Sequence, residues 1–403
     1  MNNPANDAAT DSLSVVLAGG GSAGHVNPLL ATADALRDLV PGCEVVVLGT
    51  EDGLEARLVP ERGYPLEFLP KVPFPRRPNA AALRFPAGMR RAISRAAEVI
   101  HAAGADVVVG FGGYVATPAY LAARRTGTPI VIHEQNARPG LANRLGARFT
   151  DHVTTTFETT PLRGARVVGL PMRREITDLD RGALRTEGLA HFGLRDDRTT
   201  LLVFGGSLGA QRLNDSFPAA APQLRAAGVQ VLHLTGAGKA VDVPADDDCP
   251  YVTREYSDRM DLAYSVADLA VCRAGAGTVC ELTAVGLPAI YVPLPIGNGE
   301  QRLNAADVVG AGGGLLVADA DVTPDWVRET VVPLVTDRER LDLMAAEAAV
   351  MGVRDAAEVL ARLVLSAAGH GAARDDDPRD DGPRDDDPRE NAPRDDAIGR
   401  DPA

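Results

Sequence analysis

The run Cys272-Arg273-Ala274-Gly275-Ala276-Gly277-Thr278-Val279-Cys280-Glu281 sets four consecutive small residues behind an apolar strand, Leu269-Ala270-Val271. A helical pattern follows, which Gly286-Leu287-Pro288 stops. Small residues at a strand-to-helix turn let backbone N–H groups approach an anion, and a helix N-terminus favours negative charge. Glu281 falls about one turn into that helix. There it can accept two hydrogen bonds from a vicinal diol such as a ribose. The combination predicts a pocket for a nucleoside diphosphate. Ordinary punctuation between strand and helix, with a solvated Glu, is the plainer alternative.

A second run, Gly19-Gly20-Gly21-Ser22-Ala23-Gly24-His25, follows the apolar segment Leu13–Ala18 and precedes a helix expected from about Asn27 to Leu39. Gly19, Gly21 and Gly24 formally satisfy G-x-G-x-x-G, and Glu51 follows the second strand, Val45–Leu48. An NAD-dependent enzyme is therefore an alternative. A lone glycine fingerprint is weak, and His25 sits where a dinucleotide loop needs no side chain. His25 reads as a general base or a sugar or phosphate contact. The alternative is a helix-start His bonded to a loop carbonyl.

These residues need a scaffold, and the strand pattern supplies one. Val107–Gly110 runs into Phe111-Gly112-Gly113-Tyr114, and Ile130-Val131-Ile132 into His133-Glu134-Gln135-Asn136. Three successive strands thus end in glycines or polar side chains, the edge at which open α/β sheets bind ligands. Polar clusters at strand ends carry no packing benefit, so they read as one face of a cleft. Val167–Arg173, with Gly169 and Pro171, suits an interdomain linker. Arg173 reaches a diphosphate in the cleft or is solvated. Leu201–Phe204 then opens a second unit through Gly205-Gly206-Ser207-Leu208-Gly209-Ala210. A later strand, Ala289–Pro293, delivers the loop and helix bearing Gln301 and Asn304, whose amides suit sugar hydroxyls.

A length of 403 residues exceeds one core and suits two domains. The expected boundaries are 1–11 disordered, 12–172 and 173–369 as two Rossmann-like doubly wound α/β domains facing across a cleft, and 370–403 as a disordered Asp/Pro/Arg-rich tail. Of the net charge of −14, the last thirty residues carry −6 and the body −8. That balance argues against non-specific nucleic-acid binding. Four scattered cysteines give neither a zinc site nor a disulfide framework. The polar N-terminus does not read as a signal peptide, and no run approaches the length of a membrane span. A cytoplasmic protein is expected, one able to lie on a membrane. Lys71–Arg95 carries seven basic residues and no acid, with Phe74, Leu83, Phe85 and Met89 between the cations. With Arg76 and Arg77 this reads as a peripheral patch for an anionic membrane surface. The alternative is a Pro-rich loop followed by a helix with Met89, Ile93, Ala97 and Ile100 inward and Arg90, Arg91 and Arg95 solvated.

In this order, the motifs resemble those of the MurG family of bacterial glycosyltransferases, from about Ser12 to Ala367. Each is weak alone; the ordered set is specific. The resemblance implies a GT-B fold and transfer of GlcNAc from UDP-GlcNAc to the 4-hydroxyl of MurNAc in undecaprenyl-pyrophosphoryl-MurNAc-pentapeptide (lipid I). It implies inversion and no metal or other cofactor. Carried over, Glu281 would bind the uridine ribose, and Ala276, Gly277, Thr278 and Ser207 the diphosphate. Asn136, Gln301 and Arg173 would contact sugar or phosphates. Ser22, Ala23, Gly24 and His25 would lie beside acceptor and diphosphate, with Ser257–Met260 bordering the uracil. The catalytic set would be His25, as base, with Glu281. Tyr114, Phe74, Arg76, Arg77 and Phe85 would face acceptor and membrane, at the cytoplasmic face. Cell-wall synthesis or division proteins stay open as partners. Gly169-Leu170-Pro171-Met172-Arg173 departs from the usual Gly-Asn-Pro-Val-Arg, Glu300 stands where Gln is frequent, and Ser257 is polar where the family is apolar. Rivals with other chemistries are a UDP-GlcNAc 2-epimerase, a transferase acting on a soluble natural product, the oxidoreductase above and a non-catalytic nucleotide-sugar-binding scaffold.

Overall fold

The computed structural model describes residues 12–72, 80–206, 209–296 and 298–370. The expectations for 1–11 and 371–403, and those placed on Phe74, Arg76, Arg77 and Ser207, lie outside the described residues.

The first sheet comprises β1 (Ser14–Gly19), β2 (Glu44–Gly49), β3 (Leu66–Phe68), β4 (Val107–Gly112), β5 (Ile130–Glu134), β6 (Val153–Thr155) and β7 (Arg166–Val167). The second comprises β8 (Thr199–Phe204), β9 (Val229–Leu234), β10 (Tyr251–Arg254), β11 (Leu269–Cys272), β12 (Ala289–Tyr291) and β13 (Gly314–Leu316). Their orders are β3-β2-β1-β4-β5-β6-β7 and β10-β9-β8-β11-β12-β13, with parallel pairing throughout. Parallel strands need crossover helices on both faces, which is why their sequences are apolar runs without alternation. The period of two survives in the packing. Val15 and Leu17 enter one core, and Val16 and Ala18 the opposite one. Leu202 and Phe204 are likewise separated from Leu201 and Val203. The expected two-unit α/β architecture is therefore present. Three short strands, β3, β6 and β7, were not legible as strands.

Each sheet reverses direction once, between β1 and β4 and between β8 and β11. Crevices open at such switch points, beyond the C-terminal strand ends. All four strands end in the glycine-containing or small-residue turns singled out above.

The chain crosses between the sheets twice. Residues 168–174 lead out of the first, and 351–356 lead back, because the last helix, Ala356–Ala367, packs on the first sheet. Its Leu360, Ala361 and Val364 are fully buried with Val15, Leu17 and Leu29. The end of the 173–369 segment thus belongs structurally with the first sheet. The two crossings touch at Gly169, whose φ is +83° and whose missing Cβ would lie 2.7 Å from Val353 Cγ1. The apolar substitutions in the linker have a visible purpose: Leu170 and Met172 bury against Ala284 and Cys280, on the helix Ala276–Ala284.

Among the described residues, no helix is long and apolar enough to cross a membrane. The basic stretch is helical from Ala80, with Pro86 inside the helix Ala80–Ala102. The helix therefore begins before Met89 and takes in Leu83 and Phe85, which were read with the loop, and Phe85 is half-buried on it. Met89, Ala92, Ala96, Val99 and Ile100 face the core, with Ile93 and Ala97 at its margin. Arg95 pairs with Glu67 at 2.6 Å rather than standing free in solvent.

Candidate active site

In the second unit, β11 ends at Cys272 and the helix Ala276–Ala284 begins after Gly275. Arg273 anchors the turn from behind. Its guanidinium pairs with Asp319 at 2.6 Å and donates to the Val292 carbonyl at 3.1 Å. The first N–H groups of a helix lack intrahelical partners, so those of Ala276, Gly277 and Thr278 face outward. Nothing lies within 4 Å of where a Gly277 Cβ would stand. Open backbone donors at a helix N-terminus form an anion site.

Glu281 lies one turn further on and is half-buried. Its Oε2 accepts the Tyr264 hydroxyl at 2.7 Å. Burial raises its pKa; the Arg173 charge and then the Tyr264 hydrogen bond pull it down. Arg173 starts the short helix Arg174–Thr177, and its Nε is buried without a hydrogen-bond partner. Its charge bears on Glu281, a neighbour the sequence did not indicate.

Gln301, on the helix Glu300–Asn304, accepts the Leu294 N–H at 2.9 Å through Oε1. Asn304 is 1 % exposed and bridges the units. Its Oδ1 accepts the Ala137 N–H at 2.9 Å, and its Nδ2 lies 3.3 Å from the Ala274 carbonyl and 3.4 Å from Asn136 Oδ1. Arg138 also donates to the Asn298 carbonyl. In the Ser257–Met260 segment, the Ser257 hydroxyl accepts the Arg259 N–H, and Arg259 pairs with Asp261 at 2.8 Å.

In the first unit the helix begins at Ala23, not Asn27, with Ser22 as N-cap. His25 therefore lies in the first helical turn. Its Nδ1 is 3.1 Å from Ser22 Oγ. Its ring flanks Gly112, where an added Cβ would come within 3.1 Å of Nε2. A Cβ on Gly113, at φ +80°, would stand 2.6 Å from the Gly20 carbonyl oxygen, so the two glycine turns lie close and admit no side chain between them. Tyr114 beside them is 44 % exposed. Burial holds the His25 pKa down to about 4, against the opposing charge of Glu55.

Glu55 also decides the dinucleotide question. Its fully buried carboxylate accepts the Gly21 N–H at 2.8 Å and the Thr50 N–H at 2.8 Å. A Cβ on Gly20 would meet it at 2.4 Å. A loop already filled by a carboxylate has no room for a dinucleotide pyrophosphate and repels one. The G-x-G-x-x-G reading is overturned on that ground.

The polar run at the end of β5 also corrects an expectation. His133, Glu134 and Gln135 are buried, not cleft-facing. Glu134 accepts the Asn136 and Gly140 N–H groups and the Asn143 amide, each at 2.9 Å, and Asn143 in turn accepts the Tyr120 hydroxyl. This network shapes the loop that carries Asn136, whose Oδ1 lies near Asn304. Sequence reading missed Tyr264, Glu55 and Asn143: Tyr264 and Glu55 reach groups 17 and 34 residues away, and no local pattern marks any of the three. The four cysteines are free.

Residues 15–155 match the glycosyltransferase family 28 N-terminal domain and residues 200–360 the glycosyltransferase family 28 C-terminal domain. A Nocardioides protein named UDP-N-acetylglucosamine--N-acetylmuramyl-(pentapeptide) pyrophosphoryl-undecaprenol N-acetylglucosamine transferase is 59% identical over 87% of this chain and 97% of its own length. A protein of the same name from Mycolicibacterium smegmatis is 55% identical over 90% of this chain and 96% of its own. The crystal structure of Acinetobacter baumannii MurG superposes with a TM-score of 0.72 at 31% identity, covering 88% of this chain and 99% of that one. A putative UDP-N-acetylglucosamine 2-epimerase from Listeria monocytogenes, at 14% identity and a TM-score of 0.61, shares the fold alone.

Proposed function

The chain belongs to glycosyltransferase family 28, with the MurG enzymes, and from that membership we infer that it transfers GlcNAc from UDP-GlcNAc to the MurNAc of undecaprenyl-pyrophosphoryl-MurNAc-pentapeptide. The product is lipid II, for peptidoglycan synthesis. The observation that carries the reading is the 59% identity over 97% of a relative bearing that name.

We assign the roles of individual residues as follows. Ala276, Gly277 and Thr278 present N–H groups to the donor diphosphate, with Ser207 expected beside them. Glu281 accepts from the ribose hydroxyls, and Gln301 and Asn136 face the sugar. The N-terminus of the first helix, at Ser22, Ala23 and Gly24, faces the acceptor. His25 is the base. Its Nδ1–H donates to Ser22 Oγ in this reading, leaving the Nε2 lone pair toward the cleft. A pKa near 4 keeps the imidazole neutral at pH 7.

The step is one in-line displacement. The acceptor 4-hydroxyl oxygen forms a bond to the anomeric carbon as the carbon–oxygen bond to UDP breaks, and the configuration inverts. The hydroxyl proton passes to His25 Nε2, and UDP leaves with the bonding electron pair. A base of low pKa takes this proton only as the hydroxyl acidifies in the transition state. Backbone N–H groups and the helix dipole meet the charge developing on UDP. Arg173 adds a positive charge nearby, so we read the transfer as needing no metal.

We place the enzyme at the cytoplasmic face of the membrane as a peripheral protein. The supporting observation is the cation-rich, acid-free stretch Lys71–Arg95 in a chain of net charge −14. Cell-wall synthesis or division proteins are proposed as further partners.

The test is transfer of labelled GlcNAc from UDP-GlcNAc to a short-chain lipid I analogue in EDTA, wild type beside Glu281→Ala. A disaccharide-lipid product from wild type alone supports acceptor, metal independence and donor contact together. Release of UDP or an epimer without that product would overturn the lipid acceptor, and restoration of transfer by added Mg²⁺ would overturn metal independence.

A further inference from the structure

We propose that Tyr264 is the positioning residue of the donor pocket: its hydroxyl holds one oxygen of the Glu281 carboxylate so that the other is presented to the ribose. The inference rests on the reading of Glu281 as the ribose ligand and adds what makes that ligand competent.

The geometry is specific. Tyr264 lies on the helix Met260–Val266, 1 % exposed, and its O–H donates to Glu281 Oε2 at 2.7 Å. Its ring packs in the core of the second unit, tilted against Phe204 at 6.2 Å between centroids. Phe204 ends β8, just before Gly205 and Gly206. The phenol is therefore fixed by the core, and the carboxylate by the phenol. A free Glu side chain on a helix samples several rotamers, and a held one meets a diol without that entropy loss.

Charge works in the same direction. A carboxylate accepts from both ribose hydroxyls only when ionised, whereas burial pushes Glu281 toward the neutral acid. Two groups bear on it, Arg173 from the first interdomain crossing and Tyr264 from the neighbouring helix, and the Cys280 thiol precedes it on its own helix. Burial pushes Cys280 up to about 12, so that thiol is neutral. Arg173 and Tyr264 are the two that favour the anion. Burial, with the Glu281 charge second, lifts the Tyr264 hydroxyl well above its ordinary range, so it remains a donor wherever the enzyme works. Removing it leaves Arg173 alone against burial.

The experiment compares wild type, Tyr264→Phe and Glu281→Gln with UDP-GlcNAc and its 2′-deoxyribose analogue across pH. For Tyr264→Phe we expect KM for UDP-GlcNAc to rise about ten- to a hundred-fold, the range for one hydrogen bond to a charged group. We expect kcat to stay within about three-fold, since a donor-binding contact is shared by ground and transition states. The ratio of kcat/KM for ribose over deoxyribose donor should fall toward that of Glu281→Gln, and the acid limb of kcat/KM should move to higher pH. That ratio is independent of how much variant folds. An unchanged ratio and acid limb in Tyr264→Phe, with the ratio lost in Glu281→Gln, would overturn the role of Tyr264 alone. A ratio unchanged in Glu281→Gln would overturn the ribose assignment, and the proposal with it.

Discussion

The backbone N–H of Ala137, just beyond the first sheet, donates to Asn304 Oδ1, in the second unit, at 2.9 Å. The Asn304 amide lies 3.3 Å from the carbonyl of Ala274, in the proposed diphosphate turn. One buried side chain thus joins the loop that carries Asn136 to the turn that leads into Glu281. Asn304→Ala leaves the Ala137 donor unpaired, and a buried unpaired donor costs about 1–3 kcal/mol. We expect kcat/KM to fall about ten- to a hundred-fold, with a broader distance distribution between labels placed across the cleft. Unchanged distances together with unchanged kinetics would remove the clasp role.

Gly169 is required twice over. Its φ of +83° disfavours a side chain, and a Cβ would stand 2.7 Å from Val353 Cγ1. Gly169→Ala should destabilise the fold by about 1–3 kcal/mol in urea unfolding, from backbone strain and overpacking together. Adding Val353→Ala should return only the part of the steric cost due to the Val353 methyls, because residue 353 keeps a Cβ 2.8 Å from the new one, and should leave the backbone part. Strict additivity of the two substitutions would show that the crossings do not press on one another.

His25 should set turnover. His25→Ala is expected to lower kcat about 10²- to 10⁴-fold, the usual worth of a general base, with KM for UDP-GlcNAc within a few-fold of wild type. Ser22→Ala should give a smaller loss, because it frees the imidazole without removing it. The pH profile gives the sign. A His25 pKa held at about 4 keeps the base neutral through pH 5, so wild-type kcat should show no acid limb near the ordinary histidine value of 6.5. A limb at that value which His25→Ala abolishes would contradict the burial argument; near-normal turnover in His25→Ala would end the base assignment.

Two further histidines tie stability to pH. Burial lowers His133 to about 3 and His233 to about 4, from an ordinary 6.5. The His133 imidazole lies 3.1 Å from the Thr154 hydroxyl, and that of His233 2.9 Å from the Tyr251 hydroxyl and 3.1 Å from Asn214 Oδ1. A depressed folded-state value means the unfolded chain takes the proton first. Their contribution is full above pH 6.5 and is lost as pH falls toward 4 and 3. Glu134, whose pKa burial raises, takes its proton earlier when folded and offsets part of that loss. His233→Gln should therefore flatten the dependence of unfolding free energy on pH between 7 and 5, by up to about 1.4 kcal/mol per pH unit. Parallel curves for variant and wild type would mean that His233 titrates normally.

Much of the candidate site was legible as local structure because its parts are contiguous. A strand, a turn of small residues and a helix start are contiguous in sequence, so Gly275 to Glu281 and Ser22 to His25 announce themselves through spacing. The long apolar strands were legible for the same reason, since a parallel strand buried on both faces needs no partner to be recognised. The two-residue strand β7 was not, because nothing in two residues carries a period. The helix at Ala80 was obscured by Pro78 and Pro86, which read as breakers.

The sequence by itself determined the two-unit α/β plan, the turns at the strand ends and the residue types offered to a nucleotide sugar. Tertiary structure alone decided which polar groups face the cleft and which serve the fold. Glu55 fills a glycine loop that spacing alone left open to a dinucleotide, and Glu134 is spent on a loop rather than offered to a ligand. Tyr264 reaches Glu281, and Asn304 reaches Ala137 across 167 residues of chain. The physical reason is range. Backbone periodicity and turn chemistry act over a few residues, whereas burial and hydrogen bonding depend on which distant segments the packed sheets bring together.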